Sequence, residues 1–415
     1  MQRALAGCVG APVDNGVSKA SAKPSTVLLA ILFFLQWGAP GLWSVSFSNV
    51  LRAHGLESFM PYAFACNALA AFISPLFVGA MADRAMAPTR LLRWLNWLSA
   101  LFLTLTFISI QAGWGGFIML GFMMCHALCS SPVFSLSNSI VFASLQKPSR
   151  GFGPLRLWGT IGWAVAGWMI SWVLHADTSP VSGYSSAAVL LSIGFFTYLL
   201  PETPPPPQTG KLCWRERLGL DALSLLKHHD HRIVFLTTVL LTIPLAAFYP
   251  MTPLHLKDLG ESAPAATMAF GQLTEIICLL ALGSLWKHVR LKWIFLTGIG
   301  FAILRFALFS LDSRAWLVAG ITLHGLTYGL YFITTQIYLA ERIDKEWRSR
   351  AQALLALLTG GVGNLIGYLC TGWWRSACTV QGHTAWPLYW LGLCACTSAV
   401  AIIFVFSYQG IGKRT

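Results

Sequence analysis

Three groups of residues in this sequence place ionisable or hydrogen-bonding side chains within otherwise apolar stretches. In MAFGQLTEIICLLALGSLW, Gln272 and Glu275 stand three apart and share a helical face. In PLRLWGTIGW, Arg156, Thr160 and Trp163 fall at i, i+4 and i+7, which aligns a cation, a hydroxyl and a large aromatic. His324, Tyr328, Tyr331 and Thr335 form a longer polar-aromatic stripe at i, i+4, i+7 and i+11. A charge inside a bilayer costs at least about 2.5–3.5 kcal/mol, so it normally faces a cavity or a partner. An acid so placed can take up and release a proton as access alternates between two sides. Tyrosine rings can stack on a planar solute and hydrogen-bond it. Structural readings stand beside these. Arg156 could snorkel to the surface while Trp163 packs, Glu275 could pair with Arg305, and His324 could bond a neighbouring helix. His126 and Arg305 are further ionisable groups inside expected spans, while Gln36 and Trp43 around Pro40, and Phe134 with Asn138, are weaker signals.

The elements that must position these groups are membrane spans. Over 415 residues, 56% are hydrophobic and only 10% charged, with a mean hydropathy of +0.64. A soluble domain carries roughly 25% charged residues. Long apolar runs recur throughout, each sufficient to cross about 30 Å of hydrocarbon. Twelve spans are expected: Ser25–Leu51, Pro61–Ala82, Leu91–Gln111, Gly115–Ala143, Pro154–Leu174, Tyr184–Leu200, Ile233–Leu256, Ala263–Trp286, Trp293–Leu311, Ala315–Ala340, Ala351–Trp374 and Trp386–Tyr408. The fold class is an all-α membrane protein with two six-helix bundles. Residues 1–24 read as a tail, 25–200 and 233–409 as the bundles, 201–232 as a linker and 410–415 as a second tail. The linker opens PETPPPP, which cannot continue a helix.

Charge fixes the orientation. On the linker's side, loops and tails hold 23 of the 28 Lys and Arg residues, whereas the opposite loops hold only Arg52, Lys257, Arg314 and Arg375. The positive-inside rule then makes the linker and both termini cytoplasmic. The net charge of +13 is accordingly a topology signal, and no nucleic-acid partner is expected. The N-terminal stretch lacks the apolar core and cleavage site of a signal peptide.

The ten cysteines stand singly with no metal-ligand spacing, so neither metal nor other cofactor is expected. The few ionisable groups lie in both halves of the chain, unlike the clustered acid, base and nucleophile of an enzyme. Glycines in GTIGWAVAG and GGVGNLIG suit close helix packing and are not followed by the Lys-Ser/Thr of a phosphate loop. The loop GAMADRAMAPTR resembles the G-x-x-x-D-R signature of the major facilitator superfamily through Gly79, Asp83 and Arg84. Asp83 and Arg84 would latch the two bundles.

Five further stretches carry a narrower resemblance. LRLWGTIGW, RLGLDALSLLK, GQLTE, AILRFALF and SRAQALLALLTGGVG resemble, in order, the nucleoside:proton symporter family of that superfamily, with FLQWG preceding them in span one. The resemblance implies proton-coupled import of a nucleoside or a related small polar solute by alternating access. It places Arg156, Thr160, Trp163, Gln272 and Glu275 in the substrate pocket. His324 falls at the position of a pocket aromatic, and Tyr328 and Tyr331 complete the expected site, with Glu275 as the proton-coupling acid. The chain departs from the family where an aromatic is followed by Asp. Here the pair is Tyr328–Gly329, and a Gln and Asn pair falls at Ala246 and Tyr249. The alternative expectation is therefore a major facilitator symporter for a sugar or an aromatic or organic acid. The expected partners are small solute, protons and lipid. The expected state is a multi-pass monomer of the cell (inner) membrane.

Overall fold

A computed structural model describes residues 25–82, 86–145, 148–201 and 220–410. The two tails (Gly410 excepted), linker residues 202–219 and the expected latch pair Asp83 and Arg84 lie outside the described residues.

The first half contains α1 (Thr26–Trp43), α2 (Phe47–Ala53), α3 (Met60–Ala82), α4 (Pro88–Gln111), α5 (Gly116–Ser130), α6 (Val133–Ser144), α7 (Pro148–Trp168) and α8 (Val181–Phe196). The second contains α9 (His229–Leu245), α10 (Phe248–Asp258), α11 (Pro264–His288), α12 (Leu291–Phe309), α13 (Arg314–Thr322), α14 (His324–Thr327), α15 (Thr334–Arg342), α16 (Lys345–Ala356), α17 (Asn364–Ala377) and α18 (Trp386–Ser407). Without water in hydrocarbon, backbone N–H and C=O groups must bond within the segment, which makes helix the necessary state of these apolar runs. Among the described residues, ten helical stretches are long and apolar enough to cross a membrane. The expected second and fifth spans coincide with α3 and α7, which are not among those ten.

Several expected spans are broken. Pro40 lies inside α1 shortly before its end, Pro132 precedes α6, and Pro244 lies just before the end of α9. A proline removes one backbone donor and bends the helix. Wider π-helical turns occupy Met169–Val173, Tyr328–Ile333 and Leu357–Gly363. A two-stranded antiparallel hairpin, Thr379–Val380 with His383–Thr384, interrupts the otherwise helical chain. Its turn residues Gln381 and Gly382 both have positive φ, as a tight hairpin requires.

In the first half, α1 packs on α7 and α8, and α4 on α5 and α8. In the second, α12 packs on α18 and α13, and α9 on α17 and α18. The main contacts between halves are α7 with α11, α3 with α17, and α2 with α10. Small residues permit the tightest approaches. A Cβ at Gly162 would lie 2.1 Å from the Phe34 carbonyl oxygen, and one at Gly325 would lie 2.0 Å from the Glu275 backbone nitrogen.

At the ends remote from the linker, polar contacts tie the halves together. Arg52 pairs with Asp258 at 2.6 Å and Arg375 with Glu57 at 2.6 Å. Asn49 donates to the Pro253 carbonyl, the Ala265 N–H to Asp177 Oδ1 and the Ala266 N–H to Ser171 Oγ.

Gly162→Leu should force α1 from α7, cost about 1–3 kcal/mol and lower the thermal midpoint in detergent. Gly121→Ala, where an added Cβ meets nothing within 4 Å, should not lower it. Asp177 lies in the loop after span five, where burial raises its carboxyl above the ordinary range, opposed by the Ala265 N–H. The cost of burying its charge is absent below its ordinary value, about 3.8, and grows as pH rises through the raised one. Between pH 4 and 7, thermal midpoints of the wild type should therefore fall relative to Asp177→Asn.

Candidate functional site

One cavity of about 780 Å³ lies between the halves. Its walls come from α1 (Trp37), α6 (Phe134), α7 (Arg156, Thr160, Trp163), α9, α10 and the turn between them (Thr242, Ala246, Phe248, Tyr249), α11 (Gln272, Glu275), α12 (Arg305) and the tenth and eleventh spans. Gln336 and Gln352 extend it toward the linker-side ends of those spans. The polar contacts between the halves lie at the remote ends, away from Gln336 and Gln352.

The floor is built from α7 and α11. Thr160, Gln272 and Glu275 are only 3%, 5% and 6% exposed, yet all three line the cavity. Thr160 Oγ1 donates to Glu275 Oε1 at 3.4 Å, a hydrogen bond that crosses from one half to the other. Gly325 lets α14 lie against the backbone of Glu275, which keeps lipid from that side of the acid. Arg156 lies with its guanidinium 4.7 Å from the centre of the Trp37 ring, a cation–π contact, and its Nη1 has no hydrogen-bond partner. Trp163 packs against Tyr249 across the halves, centroids 5.6 Å apart.

The opposite wall is aromatic. Phe248 stacks on His324 at 4.2 Å and 5°. Tyr328 and Phe332 continue the row at 6.4 and 5.9 Å. Behind it sits Arg305, 1% exposed, its guanidinium facing the rings of Phe248 and Phe306. Arg305 Nη1 lies 3.1 Å from His324 Nδ1. Because a guanidinium only donates, Nδ1 accepts and the imidazole proton is placed on Nε2. Nε2 is then the donor to the Tyr249 hydroxyl oxygen at 3.4 Å.

Seven of the eight sequence-predicted site residues thus meet in one chamber: Arg156, Thr160, Trp163, Gln272, Glu275, His324 and Tyr328. Tyr331 does not. It is fully buried in the second half, donates its hydroxyl proton to Thr237 Oγ1 at 2.9 Å and packs on Phe295. The π-helical turn that starts at Tyr328 alters the angular spacing on which the i+7 stripe relied, and it turns Tyr331 and Thr335 inward. The pair Glu275–Arg305 is also absent, since Arg305 bonds His324 instead. Of the weaker signals, Phe134 lines the cavity. Gln36 bonds Asn96, Trp43 packs on Phe47 and His126, and His126 bonds Ser99. Sequence reading missed Trp37, Asn364 and Tyr368 as lining residues. The i, i+4 spacing of Asn364 and Tyr368 was the available sign. Among the described residues no group of three or more His, Cys, Asp or Glu is arranged to hold a metal.

Comparison with known proteins gives a consistent result. A family model described as Nucleoside H+ symporter matches residues 24–411. YegT of Escherichia coli (strain K12) is 32% identical over 365 residues, 84% of each chain. The nucleoside permease NupG of the same organism is 25% identical over 418 residues, 93% of this chain and 97% of the relative. A crystal structure of the nucleoside transporter NupG superposes with a TM-score of 0.80 at 23% identity, over 92% of this chain and 99% of that one. The architecture is therefore the major facilitator fold.

The two tyrosines separate packing from lining. Tyr331→Phe should cost about 0.5–1.5 kcal/mol in stability and leave apparent substrate affinity within twofold. Tyr328→Ala should weaken affinity at least about tenfold with a smaller change in thermal midpoint.

Proposed function

The chain belongs to the nucleoside H+ symporter family, and from that premise we propose how it imports nucleosides with protons. Twelve spans form two six-helix bundles, with α3 and α7 as the second and fifth spans. The linker and both termini are cytoplasmic, in the cell (inner) membrane, as the loop charge asymmetry supports. The protein works as a monomer, and the structure corresponds to its inward-open state. The observation that carries the reading is the Thr160–Glu275 hydrogen bond, which puts the buried acid of one half on a ligand-facing hydroxyl of the other.

Glu275 is the group that takes up and releases the proton. Arg156, Thr160, Gln272 and Tyr328 hold the solute, and Trp163 and His324 shape the chamber. Opening toward the other side requires breaking the remote contacts Arg52–Asp258 and Arg375–Glu57. The bundles rock about the α7–α11 and α3–α17 contacts as they do so. Asp83 and Arg84 would latch the linker side in the alternate state.

Proteoliposomes with an acidic exterior test this. Labelled uridine should accumulate against its gradient, and a protonophore should abolish the accumulation. Glu275→Gln should lose accumulation while retaining uridine exchange. Undiminished accumulation by Glu275→Gln would refute the proton role.

A further inference from the structure

The charges lining the chamber do not balance. Arg156 and Arg305 both bring guanidinium groups to it, and among the described lining residues Glu275 is the only acid. His324 contributes no charge, because its Nδ1 accepts the Arg305 hydrogen bond. Among the described residues, no ion pair is formed by either guanidinium. Each also retains a buried nitrogen with no hydrogen-bond partner, Nη1 in Arg156 and Nε in Arg305. The chamber therefore carries one excess positive charge with Glu275 ionised and two once Glu275 is protonated.

Position 329, next to the lining residue Tyr328, is a glycine and brings no side chain to the chamber. A Cβ there would lie 2.5 Å from Cys278 Sγ, so any side chain at 329 would have to displace that thiol. A buried charge without a counterion is costly in this setting. Among the described residues, none lining the chamber supplies the missing negative charge.

We infer that the cargo supplies it: the preferred substrate is a nucleoside bearing a negative charge, held between Arg156 and the His324 wall that Arg305 backs. This rests on the nucleoside reading above and narrows it. Arg305 is a positioning residue in this scheme, since it is buried behind Phe248 and His324. It fixes His324 Nε2 as a donor and adds a positive field to the ligand side. Protonation of Glu275 removes the chamber's own negative charge, so proton and anionic cargo are electrostatically complementary passengers.

Matched probes test the inference: uridine, orotidine (uridine with a ring carboxylate) and uridine 5′-carboxylate, compared by ligand-induced thermal stabilisation of the purified protein. At least one acid should stabilise at concentrations about tenfold or more below uridine. Arg305→Gln should reduce that ratio toward one, whereas Arg305→Lys should keep most of it. Should the Arg305 variants not fold, the wild-type ranking still decides. Uridine binding as well as or better than both acids would overturn the charge inference and leave the nucleoside reading intact. Binding of none of the three would overturn both.

Discussion

A nearly buried carboxyl group on the chamber wall between the two halves of the chain is the constraint around which this molecule is built. Glu275 is almost wholly buried, and its hydrogen-bond donor, Thr160, belongs to the other half of the chain. An acid in such a place is tolerable only if something polar always faces it. In the present state that is Thr160, with the guanidinium of Arg156 on the same helical face one turn away. Any rocking of α7 past α11 must change this environment, so movement and protonation cannot be independent. The tight contact of Gly325 with the Glu275 backbone keeps the acid rigid on its own side, which concentrates the change on the α7 side.

The rest of the fold supports two positions of the halves. The remote face is held by a few hydrogen bonds and by ion pairs at helix ends, contacts worth about 1 kcal/mol each where exposed. They can be broken without unfolding a helix. The chamber walls are less regular than the rest. Of the three π-helical turns, two carry lining residues: Tyr328 and Phe332 in one, Thr359 and Gly360 in the other. Such turns recur at functional sites because they expose backbone and re-aim side chains. Here one of them separates Tyr328, which faces the chamber, from Tyr331, which does not.

Much of this was legible in the sequence, for physical reasons that differ from residue to residue. The membrane-crossing helices follow from the length of apolar runs. Arg156, Thr160, Gln272 and Glu275 were legible because polar groups at helical spacing inside hydrocarbon are costly unless they face a cavity or one another. Tyr331 was misplaced because periodicity assumes a uniform α-helix. Trp37 and Tyr368 were missed because aromatics line cavities and cores equally well. The bond from Arg305 to His324 was not legible, because it depends on how α12 packs against the start of α14, a relation no one-dimensional spacing encodes.

The central claim is that the proton and the cargo occupy one chamber and share Glu275. Infrared difference spectroscopy of the protein in lipid, between acidic and neutral pH and with or without bound nucleoside, reads this directly. The result expected is a protonated-carboxyl band that shifts when nucleoside binds and disappears in Glu275→Gln. A band indifferent to nucleoside, or one that persists in that variant, would contradict it.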